Sequence, residues 1–336
     1  MKTPNRKTIV LLMAIVLAIS ACTPTPTQPP ASATPVPPTV TAIPPTDTPV
    51  VPTVPPTITP TQTATGEALS FIQLDMLSES LGWALTSTAA YRTTDGGLSW
   101  QDVSPDDWNT SMVPSSGFFR NAEHAWLLQS DPLDMESGVF YHTSDSGASW
   151  LRYEVPFGAG PMSFIDNRTG WVMTGLGAGA GSHAIAIFAT HDGGDTWDEV
   201  YRRDTGEPEP EGEIPLSGAK QGITFSDNRL GWVAGSVPAD NIFYLYRSTN
   251  GGLNFQQQEL PLPEGVTTAM YSLEAPIFFS PARGVLPGMV YGLETSSTIF
   301  YITEDGGDTW TPTSMVPVLG RYSVPTFDNF IVWDGN

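Results

Sequence analysis

The chain has 336 residues, a net charge of −21 and one cysteine. A single cysteine excludes an internal disulfide. The acidic excess argues against nucleic acid and anionic lipid headgroups as partners.

Lys2, Arg6 and Lys7 precede an apolar run at 9–19, "IVLLMAIVLAI". Eleven apolar residues are too few to span a bilayer and fit the core of an export signal. The run leads into "ISAC", 19–22, which resembles the lipobox of bacterial lipoproteins. The resemblance implies cleavage before Cys22, lipidation of its sulfur, and an extracytoplasmic protein anchored to the cell membrane by that lipid.

Residues 23–66 hold 14 prolines and 14 threonines, with Asp47 the only charge. Proline fixes φ and lacks an N–H, so neither helix nor ladder is expected. An extended tether, partly polyproline II, would reach roughly 130 Å at about 3.1 Å per residue.

The third segment, 67–336, is the folded domain. Three of the 14 basic residues lie in the signal and one of the 35 acids in the tether. The domain therefore carries 11 basic and 34 acidic side chains, a net of −23. Five stretches repeat within it: "TTDGGLSW", "TSDSGASW", "ATHDGGDTW", "STNGGLNF" and "TEDGGDTW". Aligned on Asp95, Asp145, Asp192, Asn250 and Asp305, they are spaced 50, 47, 58 and 55 residues apart. A second landmark precedes each box and holds Trp83, Trp126, Trp171 and Trp232, with Val285 in the fifth copy. No ten-residue stretch shows helical periodicity, and short apolar runs split by turn residues predict strands. In the third copy these are expected at 161–166, 170–175, 184–190 and 196–201. Four strands per 45–60 residues predict an all-β propeller, in which each small sheet buries its faces against its neighbours.

The motif T-x-D-G-G-x-T-W resembles the Asp-box, or bacterial neuraminidase repeat. The combined pattern of both landmarks is most similar to the photosystem II assembly factor family. That resemblance implies a hairpin turn between the third and fourth strands of each blade. Asp95, Asp145, Asp192, Asn250 and Asp305 then clamp backbone N–H groups. Trp100, Trp150, Trp197, Phe255 and Trp310 bury their rings beside the strands. The acids read as structural, not catalytic, and the chain as a non-enzymatic, surface-tethered propeller that binds a protein or glycan; the resemblance implies an assembly-factor-like scaffold. The alternative is a sialidase-like glycoside hydrolase on the cell surface. No Arg-Ile-Pro tripeptide of sialidases occurs, although a pair of carboxylates is compatible with glycoside hydrolysis.

The four histidines show no metal-ligand spacing, and neither a metal nor another cofactor is expected. "GLGAGAG", 175–181, precedes a strand-like stretch rather than a helix, so it predicts a flexible loop and not a phosphate cradle. Loop parity in an up-and-down blade puts the box turns on one face and the long connections on the other. The long segments 104–117, 129–138, 175–183, 202–221 and 236–241 fall on that second face, where binding is expected. They supply the candidate binding residues Trp108, Asp131, Asp134, Glu136, Glu207, Glu209, Glu211, Glu213 and Asp240. After the fifth box, Phe327 and Trp333 repeat the first landmarks of a unit. The pattern therefore predicts five complete blades and about two strands of a sixth, with an open closure and a C-terminally incomplete domain.

Overall fold

The computed structural model describes residues 69–134, 136–206, 209–292 and 296–318, all within a compact unit spanning Thr63–Asn336. The signal, the tether, Cys22, Glu207, Phe327 and Trp333 lie outside the described residues, as does the expected sixth unit. Among the described residues there is no helix.

The first antiparallel unit comprises β1 (Gln73–Met76), β2 (Gly82–Leu85), β3 (Ala90–Thr93) and β4 (Gln101–Asp102). The second comprises β5 (Ser115–Phe119), β6 (Ala125–Ser130), β7 (Gly138–Thr143) and β8 (Leu151–Val155). The third comprises β9 (Met162–Phe164), β10 (Gly170–Gly179), β11 (Ser182–Thr190) and β12 (Asp198–Arg203). In the fourth, β13 (Ala219–Phe225) pairs with β14 (Gly231–Ser236), followed by β15 (Leu245–Ser248) and β16 (Gln256–Gln257). In the fifth, β17 (Met270–Leu273) and β18 (Ile277–Phe278) both pair with β19 (Gly284–Tyr291), which pairs with β20 (Ser297–Thr303). β20 carries β21 (Thr311–Pro312) and β22 (Val316–Pro317) on its other edge. This is a β-propeller: the first three units are separate four-stranded up-and-down sheets, the fourth and fifth are joined into one ten-stranded sheet by the pairing Ser236↔Ser272, and the first strands of all five line one central cavity.

The apolar core lies between units. One cluster joins Trp126, Leu128 and Phe140 of the second unit to Phe164, Val172 and Phe188 of the third. Another joins Trp171 and Ile187 of the third to Phe225, Val233 and Tyr246 of the fourth. The four tryptophans of the second strands are essentially inaccessible. Each ring reaches into the next unit. Trp126 stacks on Phe164 at 4.0 Å and 7°, and Trp171 on Phe225 at 3.7 Å and 8°. Trp83 meets Phe119 at 5.5 Å, and Trp232 meets Phe278 at 5.0 Å. Glycine precedes the tryptophan for a steric reason: a Cβ at Gly170 or Gly231 would run into the rings of Phe164 or Phe225.

The segment 175–183 departs from the expected flexible loop. β10 and β11 pair through Gly179↔Ser182, with a bulge between Gly175 and Gly177 and a tight turn at Ala180 and Gly181, both at positive φ. The glycines permit the bulge and turn, and the adjoining connection holds the tip. His183 N donates to Leu216 O, and Gly218 N donates to Gly181 O.

Candidate functional site

The five boxes are hydrogen-bonded hairpin turns of nearly one geometry. In the third, Thr190 Oγ1 donates to Asp192 Oδ1 at 2.8 Å and accepts from the N–H of Gly194 at 2.9 Å. The other end is closed by Thr196, whose N–H donates to Asp192 Oδ1 and whose hydroxyl donates to Oδ2 at 2.6 Å. Burial raises the Asp192 pKa, but these bonds outweigh it and hold the carboxyl at about 2. The same bonds surround Asp95, Asp145 and Asp305. In the fourth box Asn250 keeps the N–H bond from Asn254 at 3.2 Å, while no hydroxyl is present at position 254 to add the second. Phe255 and Trp310 are buried, and Trp150 donates its indole N–H to Val103 O at 2.7 Å. Each of these four carboxylates accepts three hydrogen bonds from its own turn.

The boxes also stitch units together. Trp126 Nε1 donates to Gly193 O at 2.9 Å, and Trp171 Nε1 donates to Gly251 O at 3.0 Å. Trp232 Nε1 donates to Gln258, whose amide donates to Gly307 O.

On the opposite side, the candidate binding residues do not form one patch. Trp108 is a correction: only 7% exposed, it packs on Tyr141 inside the first seam and offers no binding surface. Glu213 is also not a free surface charge. It pairs at 3.1 Å with Arg203, a buried guanidinium that donates to Ile214 O and Tyr201 Oη. Asp131 caps its own loop, accepting from Leu133 N, and Asp134 accepts from Glu136 N. Glu209 and Glu211 are exposed on the connection between β12 and β13, and Asp240 is exposed on that between β14 and β15. Among the described residues, no group of three or more His, Cys, Asp or Glu is placed to hold a metal.

What the first strands bring together is a cavity of about 810 Å³ at the centre of the molecule. Its polar wall is formed by Gln73, Asp75, Ser115, Ser116, Gln221 and Glu274, and its apolar wall includes Phe118, Met162 and Ile277. Gln73 bridges two units, donating to Gly117 O at 3.0 Å and accepting from Gly117 N at 3.1 Å. Its amide also donates to Asp75 Oδ2 at 2.8 Å. Burial pushes the Asp75 pKa up, and the Gln73 bond only partly opposes it. Gln221 sits at a bulge where the β13 register shifts between Lys220 and Gly222. Glu274 lies in the break between β17 and β18, just before Pro276, which cannot continue the ladder. Gln221 therefore falls out of the regular backbone register, its amide oxygen accepting from Ser272 Oγ at 3.1 Å, whereas Glu274 keeps its N–H bonded to Pro287 O at 3.0 Å.

Two further clusters lie outside sequence reading. His124 and His142, taken above as scattered, meet across β6 and β7 with His124 Nδ1 3.4 Å from His142 Nε2. Asn167 Nδ2 lies 2.9 Å from His124 Nε2. With the amide donating, His124 carries its proton on Nδ1 and donates to His142. Burial, then His124, lowers the His142 pKa, and Asp195 opposes this. Lys220 is the second. Its buried ammonium is encircled by the carbonyls of His183, Leu216, Ser217 and Gly218 at 2.8–3.3 Å. Burial lowers its pKa to about 8.

No family model and no curated protein matches this sequence. Solved structures similar to it include a GH74 xyloglucanase from Xanthomonas campestris, 13% identical with a TM-score of 0.41, over 73% of this chain and 45% of that one. An ancestral GH74 enzyme is 12% identical with a TM-score of 0.42, over 74% and 38%. A PL25 polysaccharide lyase, an ulvan lyase, is 10% identical with a TM-score of 0.36, over 68% and 61%. The chain spans less than half the length of the two GH74 proteins. The fold assignment stands on the strand pairing described above.

Proposed function

We propose that this chain is an exported, lipid-anchored β-propeller whose central cavity binds a saccharide. The cavity carries the reading. At about 810 Å³ it is of the size that ligand pockets have. Its wall alternates amide, carboxylate and hydroxyl groups with Phe118, Met162 and Ile277. A sugar ring has matching surfaces: hydroxyls at its edge and C–H groups on its face. Titration calorimetry of the chain with an oligosaccharide panel tests this. Binding that is lost when Gln221→Trp fills the cavity supports the site. Binding that survives the filled cavity would move the site to the long connections and return a protein partner to the front.

A second reading, glycoside hydrolysis, is favoured by one observation. Asp75, with its pKa raised by burial, shares the cavity with Glu274. A carboxyl whose pKa lies above the ordinary value and a second carboxylate are the groups such hydrolysis uses. Release of reducing ends, abolished in Asp75→Asn with binding retained, would establish it. The anchor rests on "ISAC" after the apolar run. Cys22→Ser should move the protein from the membrane to the soluble fraction, and unchanged fractionation after signal cleavage would remove the lipid from the proposal.

A further inference from the structure

Among the described residues, the cavity wall contains two carboxylic side chains, Asp75 and Glu274, and no lysine, arginine or histidine. This is not only a matter of composition, because basic side chains near the wall are directed elsewhere. Lys220 adjoins the cavity residue Gln221, yet its ammonium is turned into the cage of four carbonyls behind β13. Arg92 and Arg247 are on third strands, away from the wall, where they lie over the Trp83 and Trp232 rings, and Arg247 is also paired with Asp308. Arg120 donates to Ile165 O in the seam between the second and third units. With a net of −23 over the domain, the potential in the cavity is negative, and its low-dielectric walls focus it.

The carboxylate of Asp75 is also short of donors. Gln73 supplies one hydrogen bond to Oδ2, where a carboxylate can accept about four. The hydroxyls of Ser115 and Ser116, on the same wall, are buried without partners. An acidic sugar entering here would meet repulsion from Asp75. A neutral sugar would leave the field unused. An ammonium offers Asp75 three donors and a charge.

We propose that the cavity selects saccharides bearing free amino groups and excludes uronates and sulfated sugars. The proposal rests on the cavity being the saccharide site. The test uses four probes of one backbone type: a β-1,4-linked glucosamine tetramer, its fully N-acetylated form, cellotetraose and a glucuronate tetramer. Calorimetry is run at a pH where the amines are charged, at low and high salt. The glucosamine tetramer should bind at least about tenfold tighter than the two neutral probes, and the uronate weakest, with the amine preference shrinking as salt rises. Asp75→Asn should erase most of that preference. Glu274→Gln, checked by thermal melting alongside, provides a second variant should Asp75→Asn fail to fold, and it should reduce the same preference. Equal or tighter binding of a neutral or acidic probe would overturn the charge selection while leaving the saccharide site intact. So would an amine preference unchanged in both variants. No binding by any probe would overturn both proposals.

Discussion

The two faces of the propeller are built on opposite plans. On the box side, five turns repeat one hydrogen-bond pattern almost bond for bond. On the other side no two connections agree. One unit turns back within residues 86–89, whereas the third extends β10 and β11 into a long hairpin bound to the 204–218 connection. The repeated side has little freedom left for ligands, since its box carboxylates are bonded within their own turns and Trp126, Trp150, Trp171 and Trp197 donate their N–H groups to backbone carbonyls. The varied side and the cavity beneath it retain polar groups that the scaffold does not use. Repetition here marks structure, and departure from it marks the places where binding can reside.

The strongest way to break this contrast is through the seam. Trp126→Ala removes a buried ring that stacks on Phe164 and donates to Gly193 O. It should cost about 3–5 kcal/mol in denaturant unfolding. A loss below about 1 kcal/mol would mean the units do not depend on that contact. Next, Asp192→Ala should cost about 1–3 kcal/mol by orphaning turn donors, with saccharide affinity unchanged. Wild-type melting combined with lost binding would instead place function on the box side.

Acid sharpens the comparison. Asp192 and Asp305 have folded pKa values of about 2 against an ordinary 3.8. Their contribution is complete above 3.8 and is lost as the pH falls through about 2. His142 is lowered from 6.5, so its contribution is complete above 6.5 and is lost as the pH falls below that through the lowered folded value. Stability measured against pH should therefore decline in two separate ranges, and His142→Gln should diminish the upper one. An upper range that is identical in His142→Gln would assign it to other groups.

Smaller effects test the repeat itself. Ser146 stands where the other boxes have glycine, at φ 66°. Ser146→Gly should raise stability by about 0.5–1 kcal/mol, the relief of left-handed strain being partly offset by unfolded-state entropy. At the far end, Glu209→Gln with Glu211→Gln touches only exposed groups on the varied side. It should shift stability by less than about 0.5 kcal/mol. A larger loss would show that this connection is part of the scaffold.

The boxes were legible in the sequence because every bond that makes them spans two to four residues. Asp192, Thr190, Gly194 and Thr196 contain their own instructions. The tryptophans were legible as a spacing, and a fully buried ring recurring once per unit has few alternatives to a seam. Tertiary structure decided the rest. His124 and His142 are 18 residues apart, Lys220 and His183 37, and Gln73 and Gly117 44. Trp108 looked like a binding aromatic and became core because Tyr141 closes over it from the next unit. The cavity has no sequence signature, since five first strands each contribute only a few residues to it. Local hydrogen bonds can be written in a motif, whereas a site assembled from separate strands exists only once packing has fixed which sides of those strands face one another.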